Sequence, residues 1–138
     1  MILRGHTIKA GKAEGEAIVT KMPFSYLGDL DVPSGSVNKG HELEGQSIAG
    51  KILVIPTGRG STGGALVGYY ARFLGTAPKG MICLQAEPVI ALNAIMNDIP
   101  TVDRLDRNPL EVIETGDYVK LNATNGVVEV IKKEQKAG

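Results

Sequence analysis

Between Lys51 and Asp103, three short apolar runs alternate with two segments of helical spacing, and this alternation limits the fold more than any other feature of the chain. Lys51-Ile-Leu-Val-Ile55 is apolar at consecutive positions, the pattern of a strand covered on both faces. Met81-Ile-Cys-Leu84 repeats it, and Pro100-Thr-Val-Asp103 is a shorter third strand. Between the first two, Ser61 to Leu74 carries Ala65, Leu66, Tyr69, Tyr70 and Phe73 at helical spacing and is closed by Gly75-Thr-Ala-Pro78. Between the second and third, Glu87 to Asn97 reads as a helix with Pro88 in its first turn, where proline is tolerated. Strands buried on both faces and joined through helices form parallel sheets, so the spacing predicts two right-handed parallel crossovers.

The rest of the chain is less regular. Residues 2–10 predict one short strand, Gly11 to Gly15 a turn, and Glu16 to Thr20 another strand by their β-branched content. Residues 23–46 are broken by Pro23, Gly28, Pro33, Gly35, Gly40 and Gly45 and predict a loop-rich stretch with one short strand at most. Tyr118 to Asn122 and Gly126 to Ile131 flank an Asn-Gly hairpin signal, and Lys132 to Gly138 reads as a solvated end. No change of composition marks a linker, so a single domain over 1–138 is expected.

Charge and composition narrow the function classes. Fifteen basic and fifteen acidic residues cancel, so no basic excess points to nucleic acid or an anionic membrane. Aromatics are 4% of the chain and tryptophan is absent, which leaves little for base stacking. No apolar run approaches the roughly 18 residues of a membrane span. A charge at Arg4 interrupts the start, so no signal peptide is expected. The single Cys83 excludes an internal disulfide and any cysteine-built metal or iron–sulfur site within this chain, and it fits a reducing cytoplasm. Cys83 falls on an apolar strand and is expected to serve packing.

One segment stands out chemically: Pro56-Thr-Gly-Arg-Gly-Ser-Thr-Gly-Gly64, between a buried strand and a helix. Ligands of open α/β sheets bind beyond the carboxyl ends of such strands. A helix start offers backbone N–H groups and a positive dipole end. Arg59 adds a cation suited to carboxylate or phosphate. The plainer reading of the same residues makes Ser61 an N-cap and the glycines a tight turn.

Several functions could use such a turn. Gly58, Gly60 and Gly63 spell G-x-G-x-x-G, yet about 50 residues of other structure precede them and Glu87 sits next to Pro88, an awkward context for a dinucleotide fold. A phosphate-binding P-loop fails for want of Gly-Lys-Ser/Thr. A phosphohistidine carrier needs its histidine at the turn, and His6 and His41 lie elsewhere, where structural or surface roles are expected. Lys39, Lys51, Arg72 and Lys79 could reach a substrate phosphate, though solvated roles are the simpler reading. Asp29 and Asp31 read as turn formers, and Arg104, Asp106 and Arg107 as an exposed charged turn.

The longer pattern is more specific. The nine-residue turn is preceded by Gly45-Gln-Ser-Ile-Ala-Gly-Lys-Ile-Leu-Val-Ile55 and followed by Gly75-Thr-Ala-Pro78 and Asn97-Asp-Ile-Pro-Thr-Val-Asp103. Together these segments resemble the small subunit of the aconitase X family over most of the chain. The resemblance implies an α/β fold, a swivelling β/β/α domain. A largely parallel central sheet would bear helices 61–74 and 87–97, with β hairpins from both ends of the chain as an added β layer. Ordinary aconitases carry a Gly-x-Gly-Ser-Ser-Arg-type turn in the comparable domain, and its serine is the catalytic base. By that resemblance Ser61 is the base, and Arg59, Gly60, Thr62 and Gly63 bind substrate. This sequence departs in one respect, since Arg59 precedes the serine.

The reaction implied is loss of water from a 3-hydroxy acid, with (R)-5-phosphomevalonate going to trans-anhydromevalonate 5-phosphate. Dehydration of cis-3-hydroxyproline is the second reading within the family, and a non-catalytic anion-binding module is the reading from another class. The resemblance also implies a heterodimer whose large subunit holds a 4Fe–4S cluster, with no metal on this chain. A serine base needs strong activation. An alcohol is about as weak an acid as water, far too weak to be ionised near neutral pH. Lowering its pKa by ~5 units takes about 7 kcal/mol, while a helix terminus supplies about 0.3–2 kcal/mol. Arg59, backbone N–H groups and a dry interface must supply the remainder, so the isolated subunit is expected to be inert.

Overall fold

The computed structural model describes residues 1–59 and 63–133. Gly60, Ser61 and Thr62 lie outside the described residues, as do 134–138. In chain order the elements are β1 (Ile2–Arg4), β2 (His6–Lys9), β3 (Lys12–Val19), α1 (Tyr26–Asp29), β4 (Leu30–Asp31), β5 (Ser36–Val37) and β6 (Ile52–Ile55). They continue with α2 (Gly63–Leu74), β7 (Gly80–Cys83), α3 (Pro88–Met96), β8 (Thr101–Asp103), α4 (Pro109–Val112), β9 (Tyr118–Asn122) and β10 (Val127–Ile131).

Three layers follow from how the strands pair. β3, β6, β7 and β8 run parallel to one another, and β2 closes their far edge antiparallel to β8. β9, β10 and β1 form the added layer, each antiparallel to its neighbour. The long strand β3 serves both: Lys12 to Glu16 pair with β9, and Ala17 to Val19 pair with β6. The sheet order is β1-β10-β9-β3-β6-β7-β8-β2, and only Gly5 separates its two ends in sequence. The strands therefore fold over into two stacked layers joined at both corners by continuous chain.

The period-two geometry of a strand explains why β6 and β7 read as unbroken apolar runs. Ile52 and Val54 face the added β layer, where they meet Ala17, Ile82, Val119 and Leu121. Leu53 and Ile55 face the helices with Met81, Cys83, Ile90 and Ala94. All four β6 side chains are fully buried, each contributing about 1.5–3 kcal/mol of hydrophobic stabilisation. Gly80 stands where β7 passes Leu121, since a Cβ there would come within 2.8 Å of the leucine side chain.

The predicted strands and C-terminal hairpin of residues 51–131 are present, and the predicted helices are seen as Gly63–Leu74 and Pro88–Met96, with Ser61 and Thr62 outside the described residues. The N-terminal reading changes in two places. Residues 2–10 are two strands broken at Gly5, on opposite edges of the sheet. Gly5 donates its N–H to the Gly126 carbonyl at 2.8 Å, and that turn glycine holds φ at +67°, so the chain crosses the hairpin where no side chain fits. Lys12 to Gly15, expected in a turn, instead extend β3, because five consecutive registers with β9 hold them in the sheet. Within residues 23–46 the structure adds α1 and the small β4–β5 pair. His41 is structural: its Nδ1 accepts from the Leu43 N–H at 3.0 Å, which leaves Nε2 to donate to the Pro23 carbonyl at 3.1 Å.

α2 presents an unexpected face to the core. Gly64, Ala65, Gly68 and Ala71 are buried, while Leu66, Tyr69, Tyr70 and Phe73 point to solvent. α3 explains this choice. Its buried Asn93 and Asn97 donate from Nδ2 to the Gly64 carbonyl at 2.8 Å and the Ala65 carbonyl at 3.1 Å, and Asn97 also donates to Asn93 Oδ1 at 2.9 Å. Only small residues on α2 let the helices come that close.

One buried carboxylate fastens the added layer. Asp117 is fully buried and accepts from Lys132 Nζ at 2.6 Å, the Glu114 N–H at 2.8 Å and the Lys133 N–H at 3.0 Å. Burial alone would raise its pKa; these hydrogen bonds and the Lys132 charge outweigh burial and hold it below the usual carboxylate range. A carboxyl with a depressed native pKa stabilises the fold above its unfolded pKa, near 3.9, and that contribution is lost as pH falls through the native value. Stability is therefore expected to drop below about pH 4. Thermal melts from pH 7 to pH 2 should show Asp117→Asn less stable at neutral pH and flatter on the acid limb.

Candidate active site at the carboxyl edge of the parallel strands

β6, β7 and β8 end along one edge of the sheet, and the chain leaves each at a chemically loaded position. From β6 it passes through Pro56 to Arg59 toward α2. From β7 it passes to Glu87, and β8 ends at Asp103. Glu87 is the N-cap of α3, its carboxylate accepting from the Val89 N–H at 3.0 Å and the Ile90 N–H at 2.5 Å. The positive end of α3 is thus satisfied from within. Asp103, buried, accepts from the Ala86 N–H at 2.9 Å and faces His6 Nδ1 at 3.2 Å.

The incoming arm of the turn is held on two sides. Phe24, fully buried, donates its N–H to the Thr57 carbonyl at 3.2 Å and accepts from the Arg59 N–H at 3.0 Å. On the other side Gly58 lies against α3. A Cβ at Gly58 would collide with Glu87 Oε1 and come within 2.6 Å of the Ile90 Cβ, so only glycine fits. The arm is clamped between the segment before α1 and the start of α3.

Arg59 is fixed by Asp29, which the sequence marks only as a turn former. Its Nη2 lies 3.3 Å from both carboxylate oxygens of Asp29. Asp29 is buried and also accepts the Ser25 N–H at 2.8 Å, while Ser25 Oγ accepts the Gly28 N–H at 3.4 Å. Asp29 therefore does more than form a turn: it closes the first turn of α1 and anchors the guanidinium. With 56% of its side chain exposed, Arg59 keeps donors available for an acidic ligand. Ser25 and Asp29 are a cap pair legible in sequence, but nothing local links Asp29 to an arginine thirty positions on.

Of the predicted site residues, Arg59 stands at the end of this arm and Gly63 opens α2. Gly60, Ser61 and Thr62, between them, lie outside the described residues. Lys51 and Lys79 immediately precede β6 and β7, at the opposite end of the parallel strands, so neither stands at this edge. Arg72 is in the last turn of α2, about 13 Å along the helix from Gly63. Lys39, Arg104, Asp106 and Arg107 are exposed, as expected. The hollow beside Arg59 and Glu87 measures ≈ 10 Å³, about the size of one water. These described residues therefore do not enclose a substrate-sized cavity by themselves.

The residues present do not fit an iron–sulfur cluster. Cys83, the one cysteine, is buried, and burial together with the Asp103 and Glu87 carboxylates pushes its thiol up to about 12. A cluster ligand must be a thiolate. Among the described residues no group of three or more His, Cys, Asp or Glu side chains is placed to hold a metal ion.

Two stacked β layers and a helical layer, with a glycine-rich turn leading off the carboxyl edge of the parallel strands, are the arrangement of an aconitase-type swivel domain. A family model described as the aconitase X swivel domain matches residues 2–130, and the chain belongs to the aconitase X family. It is 44% identical over 131 residues to the phosphomevalonate dehydratase small subunit of Methanosarcina acetivorans, covering 94% of this chain and 91% of that protein. The Archaeoglobus fulgidus protein of the same name is 46% identical over 125 residues, 91% of this chain and 95% of that one. A crystal structure of Thermococcus kodakaraensis aconitase X in its holo-form superposes with a TM-score of 0.89 at 44% identity, covering 96% of this chain and 99% of that one.

Proposed function

We propose that this chain is the small subunit of a two-subunit hydro-lyase that dehydrates (R)-5-phosphomevalonate to trans-anhydromevalonate 5-phosphate in an archaeal-type mevalonate route. The observation that carries this reading is the clamped Thr57–Arg59 arm, which leads off β6 toward α2 and ends on a guanidinium anchored on Asp29. Near-full-length similarity to proteins named for that reaction supports it. A single swivelling domain over 1–138 accords with a sheet that draws strands from both ends of the chain.

Each residue of the turn then has a task. Ser61 takes the proton from the carbon beside the substrate carboxylate. Arg59 holds that carboxylate, lowering the cost of the negative charge that develops as the proton leaves. Gly60, Thr62 and Gly63 bind the same acid. The departing hydroxyl needs a Lewis acid, which this chain lacks the ligands to hold. The 4Fe–4S cluster therefore belongs to the large subunit, and the heterodimer forms the complete active site. No described helix is long and apolar enough to cross a membrane, which accords with a cytoplasmic enzyme.

Reconstitution tests the proposal. The purified chain alone should give no detectable dehydration of phosphomevalonate, and adding the large subunit with its cluster should restore turnover at an equimolar ratio. Turnover by this chain alone, or an inactive 1:1 complex with an intact cluster, would refute it. Assaying cis-3-hydroxyproline alongside separates the two family reactions.

A further inference from the structure

We infer that the outer face of α2 and α3 is the surface on which the large subunit docks. This rests on the function proposed above, which requires a second, cluster-bearing chain at the turn before Gly63.

The helical layer has the wrong chemistry for a surface left in water. α2 and α3 are 12 and 9 residues long, and Arg72 is their only charged side chain. Helices on the outside of a soluble domain ordinarily turn charged residues outward. On α2 the large side chains Leu66, Tyr69, Tyr70 and Phe73 point out and the small ones point in, and α3 exposes Leu92, Ile95 and Met96. Leu66 is 59% exposed, Tyr69 54%, Phe73 79% and Met96 62%. A groove of ≈ 450 Å³ runs between the helices, lined by Leu66, Tyr69, Leu92 and Met96, with Ala65 and Asn97 at its floor. Depletion of charge with enrichment of tyrosine and methionine is the composition of an interface centre.

Position identifies the occupant. Leu66 follows Gly63 by three residues, about 4.5 Å along the helix axis, so the apolar face begins within a turn of the start of α2. A chain that completes the site at the α2 N-terminus must cover this ground. A second copy of the present chain seated there would bring no cluster and would hold the large subunit away. The face is therefore continuous with the place the large subunit has to reach. Its apolar character calls for a correspondingly uncharged, aliphatic and aromatic strip beside the large subunit's active-site opening.

Phe73 and Met96 give two separate probes, one per helix, and both are too exposed to hold the fold together. In titration calorimetry of the full-length chain against the cluster-loaded large subunit, Phe73→Glu and Met96→Glu should each weaken binding by at least about 30-fold. Lys12→Ala, exposed on the added β layer, should leave the affinity within about twofold of wild type, and the melting temperature of the free variants should stay near wild type. Wild-type affinity in both glutamate variants would overturn the inference while leaving the proposed reaction standing. A free chain that sediments as a dimer, is split by Phe73→Glu and keeps its affinity for the large subunit would overturn it in favour of self-association. No binding by the wild-type chain would instead defeat the functional reading beneath it.

Discussion

Replacing Ser61 by alanine is expected to leave the heterodimer intact and lower its kcat by about 100- to 10,000-fold, the contribution typical of a positioned general base. If the hydroxyl also caps α2, the free chain should lose at most ~1–2 kcal/mol of stability. The two readings of this serine separate on that comparison. A cap that is not a base costs stability and little turnover, whereas a base costs turnover out of proportion to stability. Arg59→Lys offers a companion measurement on the same complex. Lysine keeps the charge but loses the planar guanidinium whose Nη2 lies 3.3 Å from both Asp29 oxygens, so KM should rise with Ser61 untouched. A wild-type rate in the Ser61→Ala complex would remove the serine from the chemistry altogether.

The second large effect is expected at Gly68. Helix propensity alone predicts that Gly68→Ala stabilises α2 by about 1 kcal/mol. The packing predicts the opposite. A Cβ at Gly68 would collide with Asn93 Oδ1 and come within 2.7 Å of Asn97 Nδ2, two amides whose hydrogen bonds hold α3 to the first turn of α2. Turning them aside leaves buried polar groups unpaired at about 1–3 kcal/mol each, which exceeds the propensity gain. Gly68→Val adds overpacking of about 1–3 kcal/mol. A loss of about 3–5 kcal/mol for valine, seen as a melting temperature lower by more than about 10 °C, is the expected result. A neutral or stabilised alanine variant would show that the amides move freely and that the helix contact is not held by them. Because the same contact sets where α2 begins, the valine variant should also lose turnover in the complex.

Much of this architecture is legible from the chain alone because its middle is local. β6, α2, β7, α3 and β8 follow one another in sequence and lie side by side, so periodicity and capping residues such as Glu87 mark them directly. What escapes is what distant pairing decides. Lys12 to Gly15 look like a turn until β9, a hundred residues later, draws them into the sheet. The partner of Arg59 is thirty residues upstream in an irregular stretch. The face of α2 that turns inward depends on two amides of another helix, and a rule that sends large apolar residues inward gives the wrong side. The Pro56–Gly64 turn was visible as a motif, whereas the clamp of Phe24, Glu87 and Ile90 around its first arm was not.

The pairing of Ile2 with Glu129, and of Leu3 with Val128, has a further consequence for synthesis in the cell. On a ribosome that delivers residues in order, β1 emerges first and finds its neighbour last. The parallel strands and their helices can assemble while translation continues, but the bare edges of β1 and of the front half of β3 must wait for the final hairpin. Nascent chains stalled before residue 118 should therefore expose strand edges that recruit chaperones.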